Sequence, residues 1–145
     1  MTRWTAGLLI AGLALAPLAA QSSNTYRTRL SPVPVAAFNT NIVGTGAATG
    51  TVAGSTLNVA GTYAGLASPA TLAKIFKSPK PGIRGEALFD LQVSGGTTGT
   101  ISGKIDLSAA QLQELAQGRY YIQLYSEKAA DGNLWGWLQP QENRR

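Results

Sequence analysis

The run from Thr100 to Leu107 alternates without a break: Ile101, Gly103, Ile105 and Leu107 interleave with Thr100, Ser102, Lys104 and Asp106. Period two puts one set on each face of an extended strand, so one side of this segment lies in a core and the other in water. Shorter runs of the same kind recur between Thr56 and Leu138, separated by Gly, Pro, Asn or Asp. Only one stretch carries a helical signal. Ser108 is an N-cap, Gln111 sits three residues on as its capping-box partner, Leu112 and Leu115 share a face, and Gly118 supplies the stop. A parallel α/β sheet needs helices between its strands, so the pattern predicts an all-β, antiparallel β-sandwich with one short helix near 108–117. A chain of 145 residues fits one domain.

Several strands are legible individually. Segment 26–30 alternates enough for a first edge strand, and Pro32 and Pro34 then force the chain out of regular pairing into a loop reaching about Asn41. Gly54-Ser55 lies between two alternating runs, 47–53 and 56–63, which read as a hairpin with Leu57, Val59, Gly61 and Tyr63 on one face. Segment 72–77 is a strand leading into a Ser78 to Gly85 turn that contains Pro79, Pro81 and Gly82, and 86–93 is the next. Gly95-Gly96 closes a turn. After the helix, 119–126 places Ile122 and Leu124 on one side and Tyr121, Gln123 and Tyr125 on the other. Asp131-Gly132 is a hairpin-turn dipeptide, and 133–138 is the last strand.

The ends carry a different signal. Arg3, the apolar run 8–16 and the small-residue site 18–20 make residues 1–20 a secretion signal peptide, too short and too broken by Pro17 for a membrane span. Residues 21–29 are expected as a flexible lead-in, 30–140 as the domain and 141–145 as a polar tail. The mature chain is therefore expected to be secreted, in the cell envelope or outside the cell, with no membrane span. Without cysteine it has neither disulfides nor thiolate ligands and holds together by packing. The basic excess sits at the ends, on Arg27, Arg29, Arg144 and Arg145, so the body is nearly neutral and lacks the clustered basic face of a nucleic-acid binder.

Histidine is absent, which removes the commonest general base and the commonest zinc or copper ligand. No catalytic residue, metal ligand or cofactor site is assigned. A two-carboxylate hydrolase drawing on Glu86, Asp90, Asp106, Glu114, Glu127 or Asp131 is the alternative, weakened by the scatter of these acids over turns and wet faces. Gly44, Gly46 and Gly50 mimic a dinucleotide fingerprint with the wrong spacing and no helix to follow. Glu127, Asp131 and Asn133 offer oxygens to calcium without the carboxylate density of a dedicated loop, and a plain hairpin is preferred. Lys74, Lys77, Lys80 and Arg84 form a candidate anion patch, whose plainer reading is a solvated loop. Trp135 and Trp137 flank Gly136 and share a face opposite Leu134 and Leu138, and Tyr121 and Tyr125 join them if the preceding strand pairs here. Such rings suit sugars or an apolar partner surface. The plainer reading, a second core layer under a loop, takes precedence at this point.

The segments 57–73 (LNVAGTYAGLASPATLA), 87–91 (ALFDL), 99–103 (GTISG) and 121–126 (YIQLYS) resemble, in this order, the chordin-type (CHRD) domain, and the likeness runs from about Leu57 to Leu138. The resemblance implies an immunoglobulin-like or superoxide-dismutase-like sandwich in an extracellular protein, either as a domain of chordin or as a secreted bacterial protein. Where the family usually carries Ala-His-Ile-His this chain has Ala73-Lys74-Ile75-Phe76, and Tyr125 replaces a further histidine. The resemblance thus implies a degenerate form of any histidine metal site, and a candidate contact surface of Lys74, Phe76, Tyr121, Tyr125, Trp135 and Trp137. Its expected role is non-catalytic, binding or structural, toward a protein or glycan of the envelope.

Overall fold

The computed structural model describes residues 24–142, so the expected signal peptide, the first part of the lead-in and the last part of the tail lie outside the described residues. Nine strands and one helix follow in the order β1 (Thr25–Pro32), β2 (Thr45–Ala53), β3 (Thr56–Ala64), β4 (Ala70–Lys77), β5 (Glu86–Val93), β6 (Gly99–Asp106), α1 (Ala109–Ala116), β7 (Tyr120–Ser126), β8 (Ala129–Trp137) and β9 (Gln139–Pro140). All pairings are antiparallel. The all-β class and the single short helix are as expected. The sandwich is not: eight strands close into a barrel in the order β1-β2-β3-β6-β5-β4-β7-β8 and back to β1.

Closure depends on two strands that each change partner along their length. β1 pairs with β2 from Thr25 to Leu30 and then with β8 through Ser31↔Trp135 and Pro32↔Leu134. β5 pairs with β4 over Glu86 to Leu91 and with β6 only through Gln92↔Ser102 and Val93↔Ile101. The expected edge strand 26–30 is therefore a seam with neighbours on both sides, and Pro32 is tolerated because the next residue makes the bond to β8, the Val33 N–H donating to the Asn133 carbonyl at 2.9 Å. Chain expected to be flexible up to residue 29 is ordered strand from Thr25. β9 extends the same seam by pairing Tyr26↔Pro140 and Arg27↔Gln139.

Gly136 makes the β1–β8 approach feasible. A Cβ there would collide with the Thr28 hydroxyl and the Arg29 carbonyl. On the opposite seam, Gly103 leaves room for the Leu91 side chain.

The inward faces supply the core: Leu30, Leu57, Val59, Tyr63, Ile75, Leu91, Ile101, Ile122, Leu124, Leu134 and Leu138 are all buried in one cluster. Each such aliphatic side chain contributes about 1.5–3 kcal/mol by leaving water. The hairpin turn at Gly54-Ser55 and the inward set Leu57, Val59 and Tyr63 are as read from the sequence. α1 links β6 to β7 across one end of the barrel and inserts Leu115, which is fully buried. Its capping box is complete: the Ser108 hydroxyl accepts from the Gln111 N–H at 3.2 Å, and Gln111 Oε1 accepts from the Ser108 N–H at 2.9 Å.

One turn was misplaced. Asp131-Gly132 does not join two strands; the β7–β8 turn is Glu127-Lys128, fixed by Ser126↔Ala129, and Asp131-Gly132 lies inside β8, in a bulge between Leu124↔Leu134 and Ser126↔Ala129. Gly132, with φ +125°, gives the bulge its backbone, and Gln123 Nε2 donates to the Asp131 carbonyl at 3.3 Å.

The helix is tied down by one carboxylate. Glu114 accepts from the Tyr120 hydroxyl at 2.8 Å and from Lys77 Nζ at 3.1 Å. The Tyr120 bond foremost, then Lys77, holds the Glu114 carboxyl below its usual range, while burial and the same carboxylate push the Tyr120 phenol up. A depressed carboxylate stabilises the fold above its unfolded-state pKa, and that contribution is lost as pH falls through the folded-state value.

Two outcomes follow. Glu114→Gln should cost about 1 kcal/mol in urea unfolding at neutral pH, with the gap to wild type closing as the solution is acidified; a gap constant with pH would contradict this role. Gly136→Ala should lower stability by about 1–3 kcal/mol, read as a fall in the thermal midpoint, whereas an unchanged midpoint would show that the seam has slack.

Candidate functional site

Pleating sorts the side chains of β4, β7 and β8 into two sets. Ala73, Ile75, Ile122, Leu124 and Leu134 point into the barrel, leaving Lys74, Phe76, Tyr121, Gln123, Trp135 and Trp137 outside it. Register aligns these six in two rows across the strands, Phe76–Tyr121–Trp137 and Lys74–Gln123–Trp135.

The rings form one continuous cluster. Phe76 stacks on Tyr121 with centroids 5.0 Å apart and planes 12° from parallel. Trp137 lies 4.7 Å from Tyr121 on its other flank, and Trp135 meets Trp137 at 4.7 Å and 70°. Trp135 also meets Tyr121 edge-on at 5.8 Å. Offset and edge-to-face contacts of this kind contribute about 0.5–1.5 kcal/mol each beyond area burial. Tyr121 is only 1% exposed, although it belongs to the outer face, whereas Phe76, Trp135 and Trp137 are half-buried and keep part of each ring in water. The two readings of this face are thus divided between residues: Tyr121 is a small outer core, and the three rings around it form a surface.

The segment between β4 and β5 borders this surface. Buried Ser78 organises it, its single O–H shared between the Lys80 carbonyl and, at 2.6 Å, the Ile83 carbonyl. The Gly85 N–H donates to Tyr121 Oη at 3.0 Å, and the Arg84 guanidinium carbon stands 5.5 Å from the centre of the Trp135 ring. That geometry is a cation–π contact.

The expected site residues separate accordingly. Lys74, Phe76, Tyr121, Trp135 and Trp137 share the outer face. Tyr125 lies on the same side of β7 but opposite Leu72, beyond the two rows, and makes no ring contact among the described residues. Burial raises its phenol pKa, opposed by a hydrogen bond from Gln123. The four cations of the expected anion patch differ in their partners. Lys74 pairs with Asp90 at 3.4 Å and Lys77 with Glu114 at 3.1 Å, leaving Lys80 and Arg84 without an ion pair among the described residues.

Sequence reasoning missed three features: the Arg84–Trp135 contact, the Glu114–Tyr120–Lys77 cluster, and the buried amides of Gln123 and Asn133 beside the bulge. Asn133 donates to the Ser126 hydroxyl at 2.8 Å. None leaves a local signal, since each joins elements distant in the chain or depends on the bulge. The alternation of Gln123 with Ile122 and Leu124 placed its side chain outside the barrel, but not beneath β8.

The acids expected as a hydrolase pair are spread over different elements. Glu86 and Asp90 lie on β5, Asp106 ends β6 and accepts from Thr56 at 2.9 Å, Glu114 is on α1, Glu127 is in a turn and Asp131 in the bulge. No group of three His, Cys, Asp or Glu side chains among the described residues is placed to hold a metal ion. Lys74, Phe76 and Tyr125, the positions at which the resemblance leads one to expect histidine, fall on one outer face. What this face presents to water is ring surface bordered by two cations, Lys74 and Arg84.

No curated protein matches the chain, and no solved structure does. The sequence model of the CHRD domain matches residues 26–138, from the first inward tyrosine of β1 to the last core leucine after β8. That span takes in the whole closed barrel and its outer aromatic face, and the chain belongs to the CHRD domain family.

Proposed function

We propose that this CHRD domain is a secreted, non-catalytic module that retains a ligand of the cell envelope on the outer face of β4, β7 and β8. One observation carries the reading: Phe76, Trp135 and Trp137 are held half-buried around a fully buried Tyr121 on the outside of a barrel whose core is already filled from within. Rings that add nothing to the interior and remain partly in water supply large contact area at low entropic cost, because each has two side-chain torsions already fixed by its neighbours.

Secretion is supported by the charged start, apolar run and small-residue site in residues 1–20, and by the membership of a family found typically in extracellular proteins. The non-catalytic assignment is supported by the lack of histidine and by carboxylates engaged elsewhere, Glu114 with Lys77 and Tyr120, and Asp90 with Lys74. No helix among the described residues is long and apolar enough to cross a membrane.

The double variant Trp135→Ala/Trp137→Ala should lose at least about tenfold in retention on the envelope fraction of the producing cells. Its far-UV circular dichroism should match wild type, because both indoles lie outside the barrel. Undiminished retention by a folded double variant would refute the assignment of this face.

A further inference from the structure

Arg84 gives the aromatic face a chemical preference. Lys74 and Lys77 are each engaged by a carboxylate, but Arg84 is exposed, has no ion pair among the described residues and stands over the Trp135 ring at 5.5 Å. An exposed guanidinium with no carboxylate partner keeps N–H donors free for a planar acid group, which it meets by two parallel hydrogen bonds. The neighbouring Gly85 N–H bond to Tyr121 Oη, 3.0 Å long, fixes the backbone beside Arg84 and lowers the ordering cost of binding.

We infer that the ligand of this face is a polysaccharide bearing carboxylate or sulfate groups, with Arg84 as the residue that recognises the acid. This inference rests on the contact surface proposed above. The half-buried rings of Trp137 and Phe76 offer their remaining surface to the C–H faces of a sugar, and Trp137 lies 4.7 Å from the Trp135 ring that carries Arg84. A sugar on Trp137 is therefore one ring away from the one that carries the guanidinium. The centre of the cluster, Tyr121, is already 1% exposed, so no pocket is open there for the inserted anchor side chain on which protein interfaces rely. A sugar chain needs only ring faces and edge donors.

The test is a titration of the purified protein with oligogalacturonate and its methyl ester, and with dextran sulfate and dextran, in low salt and with added sodium chloride. Binding should favour an acidic polymer over its neutral counterpart and weaken with salt. Arg84→Ala should reduce the acidic affinity at least about tenfold with the thermal midpoint unchanged. Should Arg84→Ala fold poorly, Arg84→Gln replaces it, with the same loss expected. Equal binding of acidic and neutral polymers, or no binding of either, would overturn the inference. So would polyglutamate binding in an Arg84-dependent manner more tightly than either acidic polymer, which would assign the face to an acidic protein. If the tryptophan double variant still loses envelope retention in any of these cases, the contact surface stands and only its acidic-sugar preference falls; if retention is unaffected, both fail together.

Discussion

The approach of β1 to β8 at Gly136 is the contact on which the rest of this structure depends. The Thr28 hydroxyl and the Arg29 carbonyl occupy the space a side chain at 136 would need, so the two strands meet there because that position carries none. Bringing them together lets Ser31 and Pro32 pair with Trp135 and Leu134 and turns two sheet segments into a closed barrel. Closure removes the unpaired strand edges that otherwise invite association. It also fixes the strand that carries Trp135 and Trp137 between two partners, β1 and β7.

A filled barrel with a rigid wall divides the labour of its strands. β4, β7 and β8 each spend one face on the core, through residues such as Ile75, Ile122 and Leu134, and the opposite face on the aromatic cluster. The same pleat therefore builds both the stability and the surface. Fixing ring orientations from below, through Tyr121, and from the side, through Gly85 and Arg84, means that little freedom remains to be lost when something docks.

Much of this was legible along the chain. The alternation of Ile101 and Ile105 with Ser102 and Lys104 located β6, and Ser108 with Gln111 located α1, because both signals depend only on residues a few positions apart. Trp135 and Trp137 were placed on one face for the same reason. What stayed hidden depends on pairing. Asp131-Gly132 has the local chemistry of a hairpin turn, but Ser126↔Ala129 closes the hairpin earlier and leaves the dipeptide in a bulge. Barrel closure was read as a sandwich because nothing in segment 25–32 reveals that its last two residues change partner. Of the four clustered cations, two were already committed to Asp90 and Glu114, 16 and 37 positions away in the chain. The resemblance legible from about Leu57 to Leu138 is extended by the family match to residues 26–138, while the sandwich it implies is replaced by a closed barrel.

The central claim is that the outer rings of β4, β7 and β8 are where the protein meets its ligand. Trp135 and Trp137 both lie on β8, and the third tryptophan of the sequence, Trp4, falls in the expected signal peptide, so the protein without that peptide, or with Trp4→Phe, reports on this face alone. Acrylamide quenching of its fluorescence, with and without saturating envelope material, measures directly whether the indoles are covered. The account predicts a clear fall in quenching when the protein is bound. Quenching unchanged while the protein is demonstrably retained would place the contact elsewhere on the barrel.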